Sequence, residues 1–235
     1  MPKTDLGKRL IKNYESRSQY YLTRRTPVIL RLDGRAFHTL TRKCIKPFDN
    51  ILSDLMTATA IHLCENIQGA KCAYKQSDEI SILLSDFNKL VSDAWFNYNI
   101  QKLTSISAGL ASSFFTQHWN KQFHDNLLPT FDSRAFNIPK EEVCNYFIWR
   151  QRDWNRNSLQ MLARSVYSHK QLHKKNHADM HEMLCEKNIN WAKLKLEWKN
   201  GVFILGDEGQ WVSGPAPEFE KYRWTINDLL VPEES

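Results

Sequence analysis

The chain has 235 residues, 42% apolar and 12% aromatic, a globular composition with enough length to bury a substantial core. It shows no secretory leader and no apolar run long enough to span a bilayer, so a cytoplasmic protein with no membrane partner is expected. Five scattered cysteines (Cys44, Cys64, Cys72, Cys144, Cys185), none in a Cys-x-x-Cys pair, fit reduced thiols better than a disulfide scaffold or a zinc ribbon.

The net charge of +6 is unevenly spread: residues 1–49 carry +8, 50–149 carry −3, 150–199 carry +6 and 200–235 carry −5. An acidic middle suits a cation site, and basic flanks suit a polyanion such as RNA. Charge alone describes ordinary solvated faces equally well.

In chain order, residues 3–25 read as a helical arm, with Leu6, Leu10, Ile11 and Tyr14 at helical spacing among lysines and arginines. Arg24 and Arg25 follow, either as a solvated pair or as a grip on phosphate. Pro27 then opens a buried-type strand, Val28 to Arg35, which stops at Asp33-Gly34, where a strand meets a turn. Asp-Gly is turn chemistry first. A basic loop runs to Lys46-Pro47-Phe48-Asp49, and a helix is predicted over 48–67, with Asp49 or Asn50 as its cap.

Cys72 to Lys75 and Ile80 to Leu84 read as two strands of a hairpin, with Asp78 in the bend. If that hairpin lies beside the first strand, Asp33 and Asp78 converge at one sheet edge. Carboxylates held so close share a proton or bind a cation. Hard oxygen ligands suit Mg2+, and two such ions can serve an in-line phosphoryl displacement.

A second long helix is predicted over 92–118 and a fourth strand over 131–138. The Arg134 within that strand needs an anionic partner, either a neighbouring Asp or a ligand triphosphate. The order β-α-β-β-α-β defines an α+β, ferredoxin-like sheet.

From Pro139 onward the pattern is mainly helical. Trp149, Arg150, Arg152, Arg156 and Arg164 either clamp RNA or pack ordinary helices. His169, His173, His177 and His181 fall at i, i+4 spacing, but Asn176, with Asp179 three residues on, reads as an N-cap that breaks the row. The expected divisions are 1–139 with the sheet, 140–205 as a helical RNA-binding or assembly region, and 206–235 as a loosely attached acidic extension.

Five motifs in order, Arg31-Leu32-Asp33-Gly34-Arg35-x-Phe37-His38, Lys46-Pro47-x-Asp49, Gln76-Ser77-Asp78-Glu79, Phe131-Asp132-x-Arg134 and Trp149-Arg150-Gln151-x-Asp153, resemble the tRNA-His guanylyltransferase superfamily over residues 25–190. The resemblance implies a polymerase-palm-like domain, two Mg2+ ions, ATP, GTP or other nucleoside triphosphates as substrates, a tRNA 5' end, and a homotetramer built as a dimer of dimers. It makes Asp33 and Asp78 the side-chain metal ligands and Gly34 a backbone one. Glu79 completes the catalytic group in a supporting role. The implied nucleotide set is Arg31, Arg35, Phe37, His38, Lys46, Asp49, Ser77, Lys102 and Arg134, with a cap role for Asp49 equally open. The implied RNA set is Arg150, Arg152, Asn155, Arg156, Asn157, Lys174 and Lys175.

One departure sets the branch. Authentic histidine-tRNA enzymes read His-Ile-Asn-Asn-Leu-Tyr-Asn after Trp-Arg-Gln-x-Asp, whereas here the chain reads Trp154-Asn155-Arg156-Asn157-Ser158-Leu159-Gln160, with Asn155 in the histidine position. That pattern resembles the guanylyltransferase-like branch, which repairs 5'-truncated tRNA by templated 3'-to-5' addition. Competing readings are a single untemplated G addition, a silent RNA-binding protein, and a nucleotide cyclase.

Overall fold

The computed structural model describes residues 4–124, 126–207 and 209–232. Its centre is an antiparallel sheet in the order β4-β1-β3-β2-β5-β6. The strands are β1 (Val28–Gly34), β2 (Ala70–Gln76), β3 (Glu79–Leu84), β4 (Phe131–Asn137), β5 (Val202–Asp207) and β6 (Gln210–Pro215). The helices are α1 (Asp5–Asn13), α2 (Phe37–Leu40), α3 (Asn50–Asn66), α4 (Ile100–Phe123), α5 (Lys140–Val166), α6 (His169–Leu172), α7 (His177–Glu186), α8 (Leu196–Asn200) and α9 (Trp224–Asn227). The chain order β1-α3-β2-β3-α4-β4, with β1 and β3 central among these four strands, is the ferredoxin-like arrangement expected.

Strand alternation assigns the two faces of the sheet. Val28, Leu30, Leu32, Ile80, Ile82 and Leu84 pack with Met56 and Leu63 of α3 and Leu103 and Phe115 of α4. Ile29, Cys72, Tyr74 and Leu83 face the other way, onto Val143 and Phe147 of α5. On β1 the residues in step with Ile29 are Arg31 and Asp33. Its polar residues are therefore carried on the α5 side.

Three segments differ from expectation. The helix foreseen from residue 92 begins at Ile100, because Ala94, Trp95 and Tyr98 are buried in the core by an irregular turn that has positive φ at Phe96, Asn97 and Tyr98. Asn99 then caps α4, its Oδ1 accepting from Lys102 N at 3.0 Å. The N-terminal arm is α-helical over Asp5–Asn13 with a short 3-10 turn at Glu15–Ser18, and Leu6, Leu10, Ile11 and Tyr14 remain exposed. Arg24 is neither free nor a phosphate grip, since its Nε donates to the buried Asp86 at 2.6 Å.

The largest correction is at the C-terminus. Far from a loose extension, β5 and β6 lengthen the sheet beyond β2, and Ala216, Phe219, Ile226 and Leu230 complete the core beneath α5. The hairpin signal was present in Val202-Phe203-Ile204-Leu205 followed by Gly209, which adopts φ +84°. Gly201 opens this segment at φ +81°, and a Cβ there would lie 2.6 Å from the Tyr74 ring.

Candidate active site

The β2–β3 connection is the two-residue turn Ser77-Asp78, with Ser77 at φ +47°, the left-handed conformation that tight hairpins require. β1 lies beside β3, and Gly34 N donates to the Asp78 carbonyl at 3.1 Å, which ties the tip of β1 to the turn. Gly34 cannot be replaced without displacement, because a Cβ would meet the Phe37 ring at 2.5 Å. Asp33 and Asp78 are thus brought to one end of the sheet, as the motifs implied.

Asp33 stands opposite Glu79 on one side and Asp132 on the other, three carboxylates abreast on the α5 face. Burial, and then Glu79 and Asp132, push the Asp33 carboxyl above its ordinary range, against the pull of Arg134 and Arg31. Burial, and then Asp33, raise Asp78 to about 6. Half-buried carboxylates that resist ionisation together are the donor set a hard divalent cation stabilises, so the residues fit Mg2+. Among the described residues no cluster of three or more His, Cys, Asp or Glu side chains is arranged for a metal, and the implied set is two carboxylates with the Gly34 carbonyl.

Glu79 has a different role from its neighbours. Arg150 of α5 grips it with Nε to Oε1 and Nη2 to Oε2, both at 2.7 Å, and Gln76 Nε2 donates to Oε1 at 3.1 Å. The pair is buried, and Arg150 Nη2 also reaches Asp153 at 3.1 Å. The charge of Glu79 is thus already matched within the protein. Glu79 lies on the same sheet face as Asp33.

The implied nucleotide residues divide. Ser77 lies in the β2–β3 turn, Lys102 in the first turn of α4, and Arg134 is half exposed, directly across from Arg31, with Asp132 at 3.8 Å. Two arginines opposed on neighbouring strands repel unless an anion lies between them. Lys46 is exposed, its Nζ donating to Thr41 O at 2.9 Å, and Arg35 and His38 are exposed just beyond the end of β1. Phe37 is a correction. Its ring is buried against Phe115 and Phe131, at 5.1 Å from each, and packs the core instead of facing a nucleotide. Asp49 is the α3 cap, accepting from Leu52 N at 2.9 Å and from Ile45 N at 2.7 Å.

The implied RNA residues divide too. Arg150 is a correction, buried and committed to Glu79, and Asn155 donates to Lys199 O at 2.6 Å, joining α5 to α8. Arg156 and Asn157 both bond Asp153, and Arg152 pairs with Glu220 at 2.5 Å. Lys174 and Lys175 are exposed between α6 and α7. Asn176 caps α7 in a reciprocal box with Asp179, so the histidine row is broken as foreseen. Motif reading missed Lys75, Gln76 and Trp154 as a group. The available signal was a lysine inside an otherwise apolar strand run, where a cation needs a reason to be buried.

A ferredoxin-like sheet with paired acids at a strand tip and a hairpin turn, flanked by basic side chains, is an arrangement suited to phosphoryl-transfer chemistry. The family described as Thg1, tRNAHis guanylyltransferase, matches residues 8–139, more than half of the chain. A probable tRNA(His) guanylyltransferase of Dictyostelium discoideum is 29% identical over 195 residues, covering 76% of this chain and 74% of its own length. A bacterial tRNA(His) guanylyltransferase (Thg1)-like protein in complex with ATP superimposes with a TM-score of 0.92 at 41% identity, covering 97% of this chain and 99% of that one. A second bacterial Thg1-like structure, in complex with GTP, gives 0.84 at 36% identity, covering 96% and 99%. The chain belongs to the tRNA(His) guanylyltransferase family, a family of nucleotidyltransferases.

Proposed function

We propose that this protein is a templated 3'-to-5' nucleotidyltransferase that restores the 5' end of truncated tRNA. The observation that carries the reading is the convergence of Asp33 and Asp78 on one sheet end, beside Ser77 and the opposed Arg31 and Arg134. Support for nucleoside triphosphates comes from the relatives solved with ATP and with GTP. Support for the templated branch comes from Asn155 in place of the family's histidine.

In the first stage an oxygen of the RNA 5'-monophosphate attacks the α-phosphate of ATP, forming a 5'-adenylylated end and releasing pyrophosphate. In the second, the 3'-hydroxyl of an incoming nucleoside triphosphate attacks the activated RNA 5' phosphate and expels AMP. A 5'-triphosphorylated end needs no activation. Asp33, Asp78 and the Gly34 carbonyl would hold two Mg2+ ions, which lower the pKa of an attacking oxygen and neutralise a leaving group when bound. Ser77, Lys46, Lys102 and Arg134 bind and orient the phosphates. Glu79, neutralised by Arg150, braces the acids without competing for the cation. Exposed Arg152, Arg156, Lys174 and Lys175 follow the RNA backbone.

We place the activity in the cytoplasm, in a dimer of dimers. The apolar face of α1, with Leu6, Leu10 and Ile11 exposed, is one surface such an assembly would cover. The test is product analysis on a 5'-monophosphorylated tRNA lacking its first nucleotide. With ATP and Mg2+ an adenylylated end should form, and be chased to a longer RNA by added nucleoside triphosphate. RNA binding with neither product would leave a silent RNA-binding protein, and cyclic nucleotide formed without RNA would make it a cyclase.

A further inference from the structure

α8 is a helix of five residues, Leu196–Asn200, and it buries none of them fully. A helix so short gains little from its own hydrogen bonds, and without buried side chains its position is set by other contacts. The final carbonyls of a helix lack partners within it, and here Gly201 N serves Glu197 O, at 3.0 Å. The next three carbonyls are each met from α5. Ser158 Oγ donates to Trp198 O at 2.6 Å, Asn155 Nδ2 to Lys199 O at 2.6 Å, and Gln151 Nε2 to Asn200 O at 3.2 Å. Spacing of i, i+4 and i+7 puts these three donors on one face of α5.

What the grip fixes is Trp198. Its ring stacks on Phe48 at 4.9 Å and 11°, and Trp154 of α5 meets the same Phe48 ring edge-on at 6.4 Å and 64°. Phe48 belongs to the loop Lys46-Pro47-Phe48-Asp49, which Asp49 closes by accepting from Ile45 N and Leu52 N. Lys46 of that loop and Ser77 of the β2–β3 turn line one cavity together with Trp198. A shift of α8 is therefore passed through two flat rings to Lys46, whereas the strands that carry Asp33 and the β2–β3 turn are held by their own ladder.

We propose that Asn155 is a positioning residue for nucleotide binding: with Gln151 and Ser158 it fixes α8 by its C-terminal carbonyls, and Trp198 in turn sets where the loop presents Lys46 to the triphosphate. The inference rests on the nucleotidyltransferase reading and makes Asn155 a support acting through α8 rather than an RNA contact. Asn155→Leu removes the donor at similar volume and leaves Gln151 and Ser158 in place. Trp198→Leu removes the stacked ring and leaves the backbone carbonyls gripped.

Addition of GTP opposite C, on a 5'-triphosphorylated tRNA lacking its first nucleotide and with Mg2+, isolates the second stage. KM for GTP should rise about fivefold in each variant, with kcat and KM for the RNA within about twofold of wild type. The double variant should show no more than the larger single effect, since both act along one path. Hydrogen exchange without nucleotide gives a reading independent of activity. The 41–49 loop, Ile45 included, should exchange faster in both variants, while β1 and β3 keep wild-type rates. A fall in kcat alone, as loss of folded protein would give, overturns the proposal, as do additive effects in the double variant. So does a rise in KM for the RNA alone, which would make Asn155 an RNA contact, or unchanged loop exchange in Asn155→Leu. If the wild-type protein adds no nucleotide, the nucleotidyltransferase reading fails, and the exchange rates still decide whether Asn155 sets the loop.

Discussion

Arg150 on α5 holds Glu79 on β3 through two parallel hydrogen bonds of 2.7 Å, one from Nε and one from Nη2. This buried pair fastens the helix to the strand that emerges from the catalytic turn. It removes one of three neighbouring carboxylates from competition for a cation. Arg150→Ala would strand a buried carboxylate, and we expect a loss of about 3–5 kcal/mol in urea unfolding. Arg150→Lys, which cannot form the two-pronged contact, should lose less stability but still lower activity. Wild-type stability in Arg150→Ala would show that the pair is not structural.

Asp78 makes stability depend on pH. Its folded value of about 6 exceeds the unfolded value of about 3.9, so the native state holds more protons between them. Without Mg2+, stability should therefore fall as pH rises from about 4 to about 6, by up to about 2–3 kcal/mol, and level off above. Mg2+ should raise the melting temperature more at pH 7.5 than at pH 5. Asp78→Asn should flatten the profile, abolish both chemical stages and leave the fold intact. A profile unchanged by that substitution would contradict the assignment.

Gly34→Ala tests the link between core and site. The added Cβ would lie 2.5 Å from the Phe37 ring, which is itself wedged against Phe115 and Phe131. Overpacking of this kind costs about 1–3 kcal/mol. Because Gly34 also donates to the Asp78 carbonyl, activity should fall further than stability explains, as a single-turnover assay at low temperature would show.

How far the sequence alone reached follows from which interactions are local. β1, the β2–β3 hairpin and α3 carry their own periodicity, turn residues and cap, so the first four strands and the meeting of Asp33 with Asp78 were legible. The partners of Arg150 and Asn155 were not, because both bonds join residues 44 or more positions apart. An arginine on an amphipathic helix looks the same whether it faces RNA or a buried glutamate. Phe37 was misread because its motif position lies beside the acids while its ring turns into the core. The β5–β6 hairpin was overlooked because its outer strand is half polar, with Gln210 and Ser213 exposed at the sheet edge.

That hairpin yields another prediction. Val202 to Leu205 pair with Cys72 to Lys75, and Phe219 packs on Tyr74 at 5.4 Å and on Phe147 at 5.8 Å. Deleting residues 201–235 should therefore give an aggregating or unfolded product by circular dichroism and gel filtration. A soluble, active fragment would mean that the C-terminal segment is dispensable.

The central claim is templated addition. The most direct measurement offers the protein, with Mg2+ and ATP, 5'-monophosphorylated tRNAs lacking their first nucleotide, with C or A as the opposing base, and each nucleoside triphosphate in turn. The account predicts G opposite C and U opposite A. Addition of G to histidine tRNA whatever base lies opposite would contradict it, and would make the protein a single-G guanylyltransferase.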